Sequence, residues 1–383
     1  MSTDHKTLVP LSIDVLGVND EEVAELIRSV PLPANGQLVV ADLLNVVDGH
    51  FVINHCFYGA MRAMLNQQGS QLEETDIYFL CNGPSLRYRG GSQYDTFGLR
   101  PIVEMLQEWS EHTGIGISYT SVEPEQRDQA EILREWYDVL SSGKTLLLHV
   151  ETANLVYNQL FTESPGKGHI IQLYGLQPSD NIAHIADHFL LDQAGQVLGY
   201  NGTIPLHELL EGVIEYGYLQ SEQGIDVAPQ TVLSAAAIHI EEFLNGGLNS
   251  DGYTTGIAAY GQLNAELASL RELDDVQFEE TCGVVYYHLR IESLMHLLRY
   301  TSQFAERYRS LLGDNATELV NDLQQVQEQA RRQLMKLYKM GARRDRSKLD
   351  AYMDSNTELL ETMALKLEAL VTASKDAAII PTS

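Results

Sequence analysis

The stretch Asn54-His55-Cys56-Phe57-Tyr58-Gly59-Ala60-Met61-Arg62-Ala63-Met64-Leu65 decides how the chain is read. Ahead of it runs an apolar segment with turn residues, from Leu38 to Gly49. Behind Cys56, the residues Phe57, Ala60, Met61, Met64 and Leu65 recur at helical spacing. The cysteine therefore opens an amphipathic helix, which ends near Gln67-Gln68-Gly69, where the glycine suits a left-handed cap. A thiol at a helix N-terminus sits at the positive end of the helix dipole, and that favours the thiolate over the thiol. This is the arrangement a nucleophilic cysteine needs. The same placement also fits a cysteine that is only a small buried apolar residue. The rest of the chain has to decide between the two.

A chain of 383 residues predicts two or three domains with ample material for a core. Its 44% hydrophobic and 20% charged residues exclude wholesale disorder. No apolar run approaches the roughly 18 residues of a membrane helix. The N-terminal Met1-Ser2-Thr3-Asp4-His5-Lys6 lacks the charged-then-apolar pattern of a signal peptide, so a cytoplasmic location is expected. Three cysteines, Cys56, Cys81 and Cys282, with no CxxC spacing argue against a disulfide framework and against a zinc site. A net charge of −28 repels nucleic acid and anionic membrane. The same field attracts a cationic substrate such as a polyamine or amino sugar; it also serves solubility alone.

Further along, a strand is expected over 7–17, a helix over 19–29 and a turn over 31–36. The run Leu72 to Leu80 leads into a loop over 81–91 that has glycines but no phosphate-binding spacing. A helix starts near Pro101, a strand covers 115–121, a helix 125–142 and a strand 145–150. Then Gly168-His169-Ile170-Ile171 opens a strand, Pro178-Ser179-Asp180-Asn181 turns the chain, and Ile182 to Leu191 returns carrying Asp187, with a third arm from Val197. From Leu206 the pattern is almost wholly helical: 206–219, 229–244, 255–270, 278–312, 316–340 and 349–374. The expected class is α+β, with an antiparallel-sheet catalytic domain over 1–203 and a helical domain over 204–383.

Cys56 at a helix start, His169 opening a later strand and Asp187 on the neighbouring arm form one ordered set, the order used by papain-like folds. The thiolate attacks a carbonyl, the imidazole moves the proton and the acid orients the imidazole. His55 adjoins the cysteine, but neighbouring side chains diverge, so it reads as a cap or supporting residue. His184 and His188 stand about 13 Å apart by strand rise, too far to share one ion, and no metal is expected. Cys81 and Cys282 read as packed thiols, and the cluster Tyr286, Tyr287, His288 and Arg290 reads equally as an acceptor pocket or as helix packing.

These residues resemble the butirosin biosynthesis protein H-like family, acyl carrier protein:aminoglycoside acyltransferases. The resemblance lies in His55-Cys56 with its helix, in Glu74-Thr75-Asp76-Ile77-Tyr78-Phe79 before a glycine-containing loop, and in Gly168-His169-Ile170-Ile171 with Gly175 and Ala186-Asp187. The loop at 81–91 has fewer glycines than the family's, and His188 follows Asp187 where the family often has proline. The resemblance implies a papain-like cysteine enzyme without a cofactor, in which Cys56 takes an acyl group from a carrier-protein thioester and an amine then accepts it. Catalysis would rest on Cys56, His169 and Asp187. The Cys56 N–H is a natural oxyanion donor, with the Asn54 side chain a weaker one, and Tyr287 and Arg290 would line the acceptor site. Hydrolysis of an amide or peptide, or thioester cyclisation, would use the same triad. The one basic island, Arg331, Arg332, Lys336, Lys339, Arg343, Arg344, Arg346 and Lys348, suits docking of an acidic carrier protein; it also suits a solvated helix end.

Overall fold

The computed structural model describes residues 38–39, 54–90, 101–123, 128–162, 166–191, 197–221 and 225–379. The strand, helix and turn expected over 7–36 lie outside them, as does most of the apolar run before Cys56. The fold class is the expected α+β. The chain forms two compact units. The first comprises the described part of 1–74 together with Ile115–Asp226; the second comprises Thr75–Gly114 and Val227–Ser383. A division at 203/204 therefore differs from the observed grouping in two ways. Residues 204–226 stay with the sheet, and 75–114 join the helices.

The first unit is built on an antiparallel sheet. Its strands are β3 (Ile117–Ser121), β4 (Leu146–Glu151), β5 (Gly168–Gln177), β6 (Ile182–Leu191), β7 (Val197–Pro205) and β8 (Val213–Leu219), in the order β3-β8-β4-β5-β6-β7. A short β1 (Leu38–Val39) pairs with β5 at Leu176 and Gly175, beyond the point where β4 stops pairing at Leu173. Alternation decides what each face buries. Leu146, Leu148 and Val150 of β4, Ile171 and Leu173 of β5, and Ala183 and Ile185 of β6 form one cluster with Ile132, Leu133 and Trp136 of α4 (Gln129–Ser141). Leu206, Leu209 and Leu210 of α6 (Leu206–Gly212) close it. The helix α1 (Cys56–Gln67) lies against β4, β5 and β6, and Gln67 near its end accepts a hydrogen bond from Thr145 Oγ1 at 2.7 Å.

The sequence pattern over 206–219 reads as one helix, but the structure turns it into strand after Gly212. The reason is local: Val213-Ile214-Glu215-Tyr216 is rich in β-branched and aromatic residues, and both β3 and β4 offer it a free edge to pair with. Gly212 lies so close to Asn154 that a Cβ there would stand 2.5 Å from the asparagine Cβ.

In the second unit, α7 (Pro229–Leu244), α9 (Asp275–Tyr287), α10 (Leu294–Arg307), α11 (Ala316–Arg343) and α12 (Leu349–Ile379) pack on one another, with α8 (Gly256–Glu266) against α7 and α12. On α11 the buried residues Leu319, Val320, Leu323, Val326, Ala330, Leu334, Leu337 and Met340 recur every three or four positions. The helix expected over 278–312 is interrupted. His288–Glu292 forms a π-turn, and Ser293 leaves the helical region and donates its hydroxyl to the His288 carbonyl at 3.1 Å. From the 75–114 segment come α2 (Glu74–Leu80, whose first residue belongs to the sheet unit), β2 (Arg87–Tyr88) and α3 (Ile102–Thr113). Strand β2 pairs with β9 (Thr254–Thr255). On α2 the fully buried Asp76 accepts from Arg307 Nε at 3.0 Å and Tyr308 Oη at 2.9 Å, and Tyr78 stacks on Tyr300. A buried carboxylate paired in this way binds the segment to α10.

The entry to α1 is held by a second buried carboxylate. Glu74 accepts the Asn54 backbone N–H on both oxygens, at 3.2 and 3.0 Å, and the Asn54 side-chain amide at 3.0 Å. Burial pushes Glu74 up to about 7, against the hydrogen bonds from Asn54 and the charge of Arg62. A carboxyl raised in the fold stabilises it while protonated, so the contribution is complete below 4.5 and is lost as the pH rises through about 7. The full difference is about 3 kcal/mol. Urea unfolding of wild type and Glu74→Gln between pH 5 and 9 should therefore show wild type weakening against the variant by about 2–3 kcal/mol across that window. A gap that stays constant with pH would mean that Glu74 keeps one charge state throughout.

Candidate active site

Cys56 is the first residue of α1, where the leading N–H groups have no acceptor within the helix. His55 precedes it with extended backbone (φ −155°, ψ 137°), and its Nδ1 accepts the Phe57 N–H at 3.2 Å. An accepting Nδ1 makes this imidazole a neutral cap. No acidic residue occupies the first turn of α1, so nothing there opposes negative charge on the sulfur. One hydrogen of the Asn54 amide is committed to Glu74, so the expected role of that amide as an oxyanion donor competes with holding the entry to the helix.

The β5–β6 register places the other two residues. Leu173 faces Ile185 and Gln172 faces Ala186, which puts Asp187 one step beyond the last pair, beside the start of β5 where His169 stands. His169 Nε2 and Asp187 Oδ2 are 2.9 Å apart. With Nε2 engaged, Nδ1 is the ring nitrogen left for the Cys56 thiol, which lies within hydrogen-bonding reach of this imidazole. Asp187 is fully buried and has two further donors: Tyr157 Oη gives its proton to Oδ2 at 2.7 Å, and the Phe189 N–H reaches Oδ1 at 3.0 Å. Burial is the largest influence on His169 and acts downward. The charges of Asp187 and Cys56 and the hydrogen bonds to them together outweigh it and hold the imidazole up at about 10. Phe161 covers the ring, with centroids 4.6 Å apart. Burial, and then the Asp187 charge, push the Tyr157 hydroxyl well above its ordinary range, so it remains a donor. Tyr157 itself stacks on Tyr200 with planes 5° apart.

The triad residues predicted from the sequence thus come together. Tyr157 and Phe161 were not anticipated. They lie in a short irregular segment and α5 (Gln159–Thr162), where no local pattern marks them. His188 follows Asp187 on β6 but its Nε2 meets Gln172 Oε1 at 3.0 Å, and burial lowers it to about 4, so it is neutral. Cys81 and Cys282 are buried; burial pushes Cys81 far above the ordinary thiol range and Cys282 up to about 11. Tyr287 and Arg290 belong to the helical unit, at the end of α9 and in the π-turn, and Arg290 donates to Tyr286 Oη at 2.6 Å. Of the basic island, Arg331 and Arg332 pair with Glu328, Arg344 with Glu279 and Arg346 with Asp275. Lys348 pairs with Asp345 at 3.5 Å, and both line a cavity of about 290 Å³ with Lys336, Lys339, Arg343, Met340, Ala351 and Tyr352.

The half-buried Cys56 should react with iodoacetamide in the native protein, while Cys81 and Cys282 label only after unfolding. His169→Ala should slow Cys56 labelling at neutral pH by about tenfold or more, because the imidazolium facing the sulfur is gone. The imidazolium exists below its raised value, so the difference is full at neutral pH and closes as the pH rises through about 10. Equal rates in both proteins at pH 7 would rule out the ion pair; peptide mass mapping of the labelled sites reads both outcomes.

No curated protein matches the chain significantly. The family model of butirosin biosynthesis protein H, N-terminal, matches residues 55–188, a span that begins one residue before Cys56 and ends one residue after Asp187. Cys56, His169 and Asp187 all fall inside it, and over this span the chain is similar to the N-terminal part of butirosin biosynthesis protein H.

Proposed function

We propose that the protein is a cysteine-dependent acyltransferase of natural-product biosynthesis, moving an acyl group from a carrier-protein thioester through an acyl-Cys56 intermediate to an amine. The observation that carries the reading is the 2.9 Å contact between Asp187 and His169 Nε2, with Cys56 within hydrogen-bonding reach of the same imidazole. It is the polarity expected of a papain-like thiolate–imidazolium pair. The family match over these residues supports the same chemistry.

In the first half-reaction the Cys56 sulfur attacks the thioester carbonyl. The developing oxyanion meets the Cys56 N–H at the start of α1, the carrier thiolate leaves and His169 protonates it. In the second, the amine attacks the acyl-Cys56 carbonyl, His169 takes the amine proton, and the amide departs as the sulfur recovers its negative charge. Thioester exchange is nearly balanced in energy, so positioning and oxyanion stabilisation do most of the work. Asp187, fixed by Tyr157 and the Phe189 N–H, keeps the imidazole in one orientation through both steps. The net charge of −28 favours a cationic acceptor. An acidic carrier protein would dock at the basic cavity of Lys336, Lys339 and Arg343, whose lysines and arginine suit a phosphate or carboxylate partner.

Intact-protein mass spectrometry with a small acyl thioester should give a single adduct that is lost in Cys56→Ala and released by an added amine as amide. Release as free acid in the presence of amine would instead favour a hydrolase with the same triad. Tyr157→Phe should retain the adduct and lower its rate of formation by roughly tenfold to a hundredfold, the effect of one hydrogen bond to a charged group. Replacing Lys336, Lys339 and Arg343 by glutamate should raise KM for a carrier-bound donor tenfold or more and leave transfer from the small thioester unchanged, with the difference shrinking at high salt. Loss of both activities alike would remove the docking role.

A further inference from the structure

Two side chains on α3 and one on α7 converge in the helical unit, apart from any residue used above. Glu108 and His112 stand four residues apart on α3 and so project from one face. His239 on α7 points its Nε2 at His112 Nε2, 2.8 Å away, with the rings nearly perpendicular. Glu108 Oε2 lies 3.8 Å from the same His239 nitrogen. One ligand atom from each of the three falls within 4.8 Å of the others.

The tautomers follow from the surroundings. His239 Nδ1 is 3.0 Å from Glu242 Oε2 and must carry the proton toward that carboxylate. In the neutral ring its Nε2 then presents a lone pair to His112 and Glu108. Without an ion, only a proton on His112 Nε2 reconciles the two facing nitrogens. No other partner of the His112 ring is seen among the described residues, so that proton is free to move to Nδ1 and leave two lone pairs and a carboxylate oxygen aimed at one point. Asn82 Nδ2 ties the carboxylates together, 3.4 Å from Glu108 Oε1 and 3.2 Å from Glu242 Oε2. The Asn82 backbone is held left-handed at φ 52°, and its buried Oδ1 has no hydrogen-bond partner.

We propose that Glu108, His112 and His239 form a binding site for a divalent transition-metal ion, zinc by donor set, with Glu242 orienting His239 from behind and water completing a tetrahedron. Two neutral imidazoles and one carboxylate are a zinc donor set, and a carboxylate behind a ligating histidine is its customary support. Glu108 and Glu242 together neutralise the ion. A tetrahedral ion with Zn–N bonds of about 2.0–2.1 Å holds its nitrogens roughly 3.3 Å apart. Opening the observed 2.8 Å pair to that separation is a change of about 0.5 Å, within reach of a χ rotation of the half-buried His112. The bond would join α3 of the 75–114 segment to α7, residues 127 positions apart in the chain. The expectation of no metal rests on the cysteine spacing and the His184/His188 pair, neither of which involves these residues.

The test uses the full chain, stripped with EDTA, re-equilibrated with zinc or cobalt and freed of excess by gel filtration. One equivalent of zinc by elemental analysis, a tetrahedral cobalt d–d spectrum and a rise in Tm on zinc addition are expected. His112→Gln should weaken zinc binding by a hundredfold or more and abolish the cobalt spectrum, and Glu242→Gln should weaken binding by about 10–100-fold. Absence of retained zinc and of a cobalt spectrum in the wild-type protein would overturn the proposal. So would retention of a full equivalent by His112→Gln, which would place the ion elsewhere. Because the wild-type cobalt spectrum needs no variant, a poorly folding substitution leaves the test intact. None of these readouts depends on acyl transfer.

Discussion

A carboxylate removed from water must be surrounded by donors, and the candidate site depends on how this is done for Asp187. Its side chain is fully buried, and it collects His169 Nε2, Tyr157 Oη and the Phe189 N–H. Leaving such a charge unpaired would cost several kcal/mol, more than any nearby packing change returns. The register of β5 against β6, the bulge that follows Asp187 and the placement of Tyr157 between Asp187 and Tyr200 all serve that demand. Once it is met, the imidazole is held by Asp187 within hydrogen-bonding reach of Cys56 at the start of α1.

The two ends of this arrangement are held by different means. Asp187 is fixed by sheet register, which is cooperative and hard to shift by less than a residue. Cys56 is fixed by helix geometry: His55 caps the first turn, and Asn54 hangs on Glu74. The two carboxylates differ in kind. Asp187 faces an imidazole held protonated, whereas Glu74 is raised to about 7 because its compensation is weaker than its burial. One is enclosed by three hydrogen-bond donors, and the other sits near its midpoint at neutral pH.

Much of the site was legible because each part carries a local signal. Cys56 opens an apolar 3.6-residue period, and His169 and Asp187 flank a turn between two runs of strand character. What escaped was set by distance in the chain. Tyr157 gains its meaning only from a carboxylate 30 residues later, and the pairing of His112 with His239 spans 127 residues. Strand β8 was read as helix because the leucines of 206–210 set a helical period that the β-branched run after Gly212 breaks without a proline or a turn cluster. The break at Ser293 is likewise silent, since a serine inside an apolar helical pattern is ordinary until its hydroxyl claims a carbonyl. The division into units was misplaced for a similar reason. Periodicity changes near 206, but contacts, not periods, define what folds together.

That division has a consequence for how the chain comes into being. The 75–114 segment is made early, yet the helices on which Asp76, Tyr78 and Phe79 pack lie beyond residue 227. At ribosomal speeds of about 5–20 residues per second, α2 waits roughly ten seconds or more for its partner α10. During that interval Tyr78, Phe79 and Leu80 are an uncovered apolar surface on a nascent chain. The sheet, by contrast, lacks its second strand from the edge until β8 emerges, so β3 and β4 have no common neighbour before then. The protein is thus assembled by two late arrivals, each completing a structure begun far upstream, and its vulnerability to misassociation is greatest while those places stand open.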